Sequence, residues 1–299
     1  MTMIPNFFMI GAPKCGTTAM SEYLRTHPNV FMSDPKEPSF FAPDVIPSPC
    51  ATMADYLNLF AHANSQQVIV GEASTSYIYS AGAVKKIWAL SPNARLLVML
   101  RRPTDLVYAH HSQNRKQGRD LEMDFEKAWK LQPQQANGKP IQPHANPWAD
   151  YKWIGSVGSQ VDRVLQIFPR SQVHFICFDD FVRNAGTEYR RLLEFLGISD
   201  DGRMEFPKVN ENTHFKSLRL ARIPRYLRAK VGINRIKAIK DALGIRQFGI
   251  TPAIDKINTE ARPRPPLRPE FRSYLDEFFE PEVVLLEKLL GRDLSSWRR

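Results

Sequence analysis

Short apolar runs alternating with stretches of helical period organise this chain. FFMIGA (7–12), VIVGEAS (68–74), ARLLVML (94–100) and VHFICF (173–178) each have the length of a buried strand, and the first three run into a turn and then a helical pattern. Apolar positions at helical spacing cover 17–27, where Met20, Tyr23 and Leu24 share a face and Pro28 ends the pattern. The same period recurs over about 82–90, 103–117, 123–131, 152–168 and 185–196. Strands alternating with helices predict an α/β fold of three layers, a central parallel sheet with helices on both faces. In such a sheet ligands bind at the carboxyl ends of the strands. Three of those ends read GAPKCGTT, GEASTSY and RRPTD, polar where the strands are not.

Residues 132–150, rich in Pro, Gln and Asn, read as a long surface loop or a lid over the site. ARPRPPLRP (261–269) reads as an extended connector into two last helices, about 270–279 and 281–290. With no internal repeat and no clean boundary, the expected organisation is one domain over 1–299 with a basic helical insertion or lid around 216–250.

Composition sharpens this in three respects. At 299 residues, 43% of them hydrophobic, the chain can fill a substantial core. No window approaches the roughly 20 apolar residues of a spanning helix, and the N-terminus lacks a signal-peptide pattern, so the expected location is cytoplasmic. Cys15, Cys50 and Cys177 have no metal-ligand spacing and read as reduced thiols. Cys15 stands in an electropositive turn at a helix start, which predicts a lowered thiol pKa and sensitivity to oxidation.

The charge is localised. Ten Lys or Arg between Lys216 and Gln247 stand against Asp241 alone, so this segment carries +9 of the net +10. Leu218, Ile223, Leu227, Val231, Ile236, Ile239 and Leu243 alternate with the charges, which predicts helical pieces broken by Pro224 and Gly232. Such a run attracts an anionic partner, whether phosphate, glycan, nucleic acid or membrane surface, or else is a solvated helix face.

The chemistry concentrates after the first strand. Gly11 and Gly16 keep the G-x-x-x-x-G spacing of a phosphate-binding loop between strand and helix, which aims backbone N–H groups and the helix dipole at an anion. A nucleoside-triphosphate loop continues with Lys and then Ser or Thr, whereas here Lys14 sits inside the turn and Thr17 and Thr18 follow the second glycine. No lysine is placed for β and γ phosphates and no magnesium ligand follows, which argues against an ordinary kinase or ATPase. The expected chemistry is transfer from a mononucleotide-type donor without a metal. His110 and His111 are adjacent on a helix, point apart and have no third ligand, so core or supporting roles are expected of them rather than metal binding.

PKCGTT (13–18) resembles the 5'-phosphosulfate loop of the sulfotransferases that use 3'-phosphoadenosine 5'-phosphosulfate (PAPS), in particular bacterial members similar to the heparan sulfate glucosaminyl enzymes. The resemblance continues in order through KEPSFF (36–41), GEASTSY (71–77), LLVMLRRPTDLVYAHHSQ (96–113), FPRSQVHFICFDDF (168–181) and EPEVVLLEKLLGRDLSSW (280–297). It implies a fold related to the nucleotide kinases. It also implies that Pro13, Lys14, Cys15, Gly16, Thr17 and Thr18 surround the 5'-phosphate, with Lys14 stabilising charge on the bridging oxygen. By the same resemblance Arg101 binds the 3'-phosphate, Glu37 is the general base on the acceptor, and Lys216 and Arg219 belong to a late basic loop over the 3'-phosphate and adenine.

Three departures modify what is implied. The family's serine for the 3'-phosphate falls at Ala109, and Ser112, three residues on along the same predicted helix face, is the candidate replacement. A histidine and a lysine that help glucosaminyl 3-O-sulfotransferases grip their anionic acceptor are replaced by Ser39 and Ala73. Arg102 replaces a common Asp, where it either adds a phosphate contact or faces solvent. The expected function is sulfuryl transfer from PAPS to a hydroxyl or amine of an acceptor, a glycan or glycolipid, with no metal and no nucleic acid. The segment 216–247 would contact an acidic membrane surface, peripheral to the inner face, or an anionic acceptor. The alternatives are an ATP-dependent kinase of related fold and a non-enzymatic basic adaptor for polyanions or membrane.

Overall fold

Each of the four predicted strands forms, and together they carry the fold. The computed structural model describes residues 3–132, 147–207 and 264–298, with the backbone of 213–215 and 259–261. Strands β1 (Phe7–Gly11), β2 (Val30–Met32), β3 (Ile69–Ala73), β4 (Arg95–Leu100) and β5 (Val173–Cys177) make a sheet in the order β2-β3-β1-β4-β5, every neighbouring pair parallel. β1 and β3 are buried at every position, as their unbroken apolar runs require of strands covered on both faces. β2 has no counterpart among the predicted strands, because three residues are too few to register a period.

Helices α1 (Thr17–Arg25), α2 (Met53–Asn58), α3 (Ala83–Leu90), α4 (Pro103–Gln117), α5 (Phe125–Lys130), α6 (Tyr151–Gly155), α7 (Val157–Leu165), α8 (Phe178–Arg183), α9 (Ala185–Leu196) and α10 (Pro269–Leu290) surround this sheet in a three-layer α/β fold. Two expectations need correction. The helix expected over 152–168 is broken at Ser156, whose backbone leaves the helical region with ψ 55°. The break lets α10 approach closely: a Cβ on Gly155 would meet the Phe279 ring at 2.3 Å, and one on Gly158 the Glu282 carbonyl at 2.3 Å. Glu282 then caps the start of α7, accepting from Ser159 N and Ser159 Oγ, each at 2.7 Å. The two final helices expected are one, α10, which continues through Pro281. Burial of Phe271, Leu275, Phe279, Val283 and Leu286 along one side outweighs the hydrogen bond that proline removes.

Arg102 does not face solvent. It forms a forked pair with Asp276 of α10, at 3.1 and 2.5 Å, and Thr104 Oγ1 donates to the same carboxylate at 2.6 Å. The pair lies deep, with side chains 12% and 6% exposed, and with Arg272–Asp105 at 3.0 Å it fixes α10 against the start of α4.

Residues 1–209 with 267–299 make one compact unit and 210–266 a second. Of the second, the described part includes the antiparallel pair β6 (Thr213–Phe215) and β7 (Thr259–Ala261). The helical pieces expected in 216–247 and most of the loop expected over 132–150 lie outside the described residues. No described helix is long and apolar enough to cross a membrane.

Removing Asp276 takes the paired carboxylate away from a shielded guanidinium. Asp276→Ala is expected to lower stability by about 3–5 kcal/mol, measured by chemical denaturation, since a broken buried pair costs more than a surface one.

Candidate active site

The sheet order by itself locates the site. From β1 the chain moves toward β3 and β2, and from β4 it moves the other way to β5, so adjacent β1 and β4 diverge at their carboxyl ends. That crevice is where open α/β sheets bind ligands. The segment after β1 is the Lys14 loop, and the residue after β4 is Arg101.

Two glycines make the loop's path possible. Gly16 has φ 86°, and a Cβ there would meet the Phe181 ring at 2.8 Å. Gly11 has φ 147°, and a Cβ there would meet Ile78 Cγ2 at 2.6 Å. Lys14 itself takes φ 62°, the left-handed region that costs a side-chain-bearing residue of order 1 kcal/mol or more. The loop is also pinned from below, where Ala12 N donates to Met99 O at 2.6 Å. Helix α1 then opens at Gly16 with no side-chain cap and no acidic residue in its first turn, which leaves that end of the helix suited to an anion.

Arg101 lies directly on this loop. Its Nη1 donates to the Lys14 carbonyl at 3.2 Å, and its guanidinium stands 4.5 Å from the centre of the Phe178 ring. Lys14 and Thr18 are half-buried, while Thr17 is buried at the helix start. Ala109 is buried on α4. Ser112, half-buried, donates to the Tyr108 carbonyl at 3.1 Å, so its hydroxyl must turn before serving a ligand. Lys216 and Arg219 lie outside the described residues.

Cys15 corrects the expectation of a reactive thiol. Its side chain points into the core, fully buried, with Sγ donating to the Pro13 carbonyl at 3.3 Å. Burial pushes the thiol up to about 12, and the opposing charges of Arg101 and Lys14 do not offset the lost hydration.

Glu37 sits in an unusual backbone stretch. Glu37 and Ser39 both have left-handed φ, 62° and 50°, and Lys36 Nζ donates to Glu37 Oε1 at 2.7 Å. Behind it lies a constellation absent from the sequence-based expectations. Glu72, in β3, is wholly buried and accepts from Tyr56 Oη and Tyr77 Oη at 2.7 Å and from Ser74 Oγ at 2.5 Å. Its carboxyl is pushed up to about 7 by burial, with the three hydroxyls pulling the other way and the Glu37 charge adding to the rise. The available signal is one acid inside VIVGEAS, an apolar strand, followed by hydroxyl residues that satisfy it.

The two histidines are internal, as expected. His110 Nε2–H donates to the Trp148 carbonyl and His111 Nε2–H to the Glu122 carbonyl, each at 3.0 Å. Burial holds His110 neutral, its pKa pushed down to about 3. Among the described residues no group of three His, Cys, Asp or Glu converges as a metal-ligand set.

Two measurements follow from this geometry. Gly16→Ala is expected to cost about 1–3 kcal/mol by thermal denaturation, from the left-handed backbone and the contact with Phe181. Iodoacetamide is expected to leave Cys15 unlabelled in the folded protein and to label it after denaturation, whereas rapid native labelling would contradict its burial.

Comparison with known proteins agrees with this architecture. The chain resembles human heparan sulfate glucosamine 3-O-sulfotransferase 6, 24% identical over 293 residues that cover 97% of this chain and 73% of the relative. Human carbohydrate sulfotransferase 15 is 32% identical over a shorter stretch, 36% of this chain and 27% of the relative. The solved structure of a sulfotransferase from Alicyclobacillus acidocaldarius superposes with a TM-score of 0.70 at 26% identity, covering 99% of both chains. The sulfotransferase domain model matches residues 5–279, from the strand that enters the Lys14 loop to the helix that holds Arg102, and the chain belongs to the sulfotransferase family.

Proposed function

We propose that this sulfotransferase moves the sulfuryl group of PAPS to a hydroxyl or amine of a glycan or glycolipid. The observation that carries the donor assignment is the Lys14 loop against Arg101: an uncapped helix start, two glycines whose Cβ atoms would not fit, and two cations at the divergence of β1 and β4. That set suits a ligand with separated anionic groups. PAPS supplies the sulfuryl group on its 5'-phosphate. Gly16, Thr17 and Thr18 would hold that phosphate with backbone and hydroxyl donors, and Lys14 would stabilise the charge left on it. Arg101 would take the 3'-phosphate, with Ser112 turning from Tyr108 to replace the donor absent at Ala109. Lys216 and Arg219 would complete the donor site.

Glu37 is assigned as the general base. Its side chain, held by Lys36 at 2.7 Å, is 39% exposed and so reachable by an acceptor. The acceptor class rests on the relatives, two of which are named for heparan sulfate and carbohydrate. The +9 segment 216–247 would draw an anionic acceptor or an acidic membrane surface to the chain. We read residues 210–266 as an insertion in one sulfotransferase domain, a reading supported by the family match that runs across them.

The assignment is tested with radiolabelled PAPS and a panel that includes desulfated heparan sulfate and a neutral glycolipid. Lys14→Ala is expected to lower transfer by about 10²–10³. Glu37→Gln is expected to lower it by about 10²–10⁴ while keeping the affinity for adenosine 3',5'-bisphosphate. Near-normal turnover of Glu37→Gln would remove Glu37 as the base.

A further inference from the structure

Glu72 touches none of the groups assigned to donor or acceptor, yet the loop carrying Glu37 is tied to it by two routes. The first is polar. Ser39 N donates to Ser74 Oγ at 2.9 Å, Ser74 Oγ donates to Glu72 Oε2 at 2.5 Å, and Ser76 Oγ donates to Ser39 Oγ at 3.1 Å. The second is aromatic. Phe40 stacks on Tyr56 with centroids 4.8 Å apart, and Phe41 packs edge-on against Tyr56 at 5.0 Å and obliquely against Tyr77 at 5.8 Å. Both tyrosine hydroxyls end on Glu72 Oε1 at 2.7 Å. The Ser39–Ser74 bond and the contacts of Phe40 and Phe41 with Tyr56 and Tyr77 therefore converge on one carboxylate, two to four residues after Glu37.

We propose that Glu72 is a positioning residue: ionised, it orders the 36–41 loop and so aims Glu37 at the acceptor, and protonated, it releases that loop. This rests on the assignment of Glu37 as base.

The chemistry of the network sets the sign. An ionised carboxylate accepts from all three hydroxyls at once, and Ser74, with its own hydrogen committed to Glu72, keeps a lone pair for Ser39 N. Protonation adds a fourth hydrogen where three donors already converge. One hydroxyl must then turn away, and in a site shielded from solvent that leaves a donor unmade. The groups acting on Glu72 are Tyr56 from α2, Ser74 and Tyr77 from the turn after β3, and the Glu37 charge from the loop itself, while Cys50 feels the Glu72 charge in turn. Burial outweighs the hydroxyls, so the carboxyl titrates near neutral pH, at about 7. The sign for global stability is opposite to the sign for loop order. A raised carboxyl pKa stabilises the fold at low pH, and that contribution is lost as pH rises toward about 7. Loop order and turnover should instead rise over the same limb.

The test compares wild type, Glu72→Gln and Ser74→Ala by hydrogen exchange at the Ser39 amide, corrected for intrinsic rate, and by the pH profile of transfer to desulfated heparan sulfate. In wild type, Ser39 protection is expected to fall at least about tenfold between pH about 8 and about 6. Glu72→Gln is expected to remove that dependence, to flatten the acid limb and to lower kcat by about 10–10², with the KM for PAPS unchanged. Ser74→Ala cuts the polar route while leaving the buried carboxylate its two tyrosine donors, and it should lose Ser39 protection even if Glu72→Gln does not fold. Protection and pH profile matching wild type in either folded variant would overturn the proposal. Binding of adenosine 3',5'-bisphosphate to all three proteins separates the two levels. If wild type fails to bind it, the donor assignment falls, while the Ser39 exchange still decides the role of Glu72.

Discussion

The turn from β1 into α1 is the constraint around which the rest of the molecule is arranged. It has to leave a buried parallel strand, bring a lysine to its crown and start a helix within five residues, Ala12 to Gly16. Only a backbone without Cβ fits at Gly11 and Gly16, because Ile78 and Phe181 occupy the space a side chain would need. Those two neighbours come from the segments after β3 and β5, so the loop's shape is set by the sheet's other ends. Cys15 is used as a small buried hydrophobe that plugs the turn into the core, and Arg101 braces the crown through the Lys14 carbonyl. An anion placed there meets donors whose arrangement is already fixed, which is what a transferring centre requires.

The bracing continues outward. Arg101 begins the turn into α4, and the next residue, Arg102, anchors that turn to Asp276 in α10. Helix α10 in turn packs against α6 at Gly155 and against α7 at Gly158, and caps α7 with Glu282. The C-terminal helix thus acts on the site at one remove, by holding the start of α4. On the other side of β1, Glu72 does the same for the Glu37 loop. Each side of the site is stabilised by one deeply buried acid, Asp276 paired with a cation and Glu72 surrounded by hydroxyls.

Much of this is legible in the chain. Unbroken apolar runs mark β1, β3, β4 and β5 nearly to the residue, and helical period marks α4 and α9 close to their observed bounds. The glycine spacing alone points to the anion loop. What escapes the pattern has physical reasons. Strand β2 is too short for a period, the break at Ser156 depends on how closely α10 approaches, and Pro281 is tolerated only because the helix is buried on both sides of it. Arg102 and Cys15 depart from expectation because sequence shows the charge of a neighbour and not the direction of a side chain. Glu72 is visible as an acid in an apolar strand, but its three hydroxyl partners come from positions 56, 74 and 77, which only the fold brings together.

Binding of the donor's desulfated product, followed by calorimetry, bears most directly on the central claim that the Lys14 loop and Arg101 form a PAPS site. Adenosine 3',5'-bisphosphate is expected to bind without added metal, at least about tenfold more tightly than ATP with magnesium, and to lose at least about 1.4 kcal/mol of binding in Arg101→Ala. Tighter binding of ATP with magnesium, or an Arg101→Ala variant indifferent to the 3'-phosphate, would contradict it.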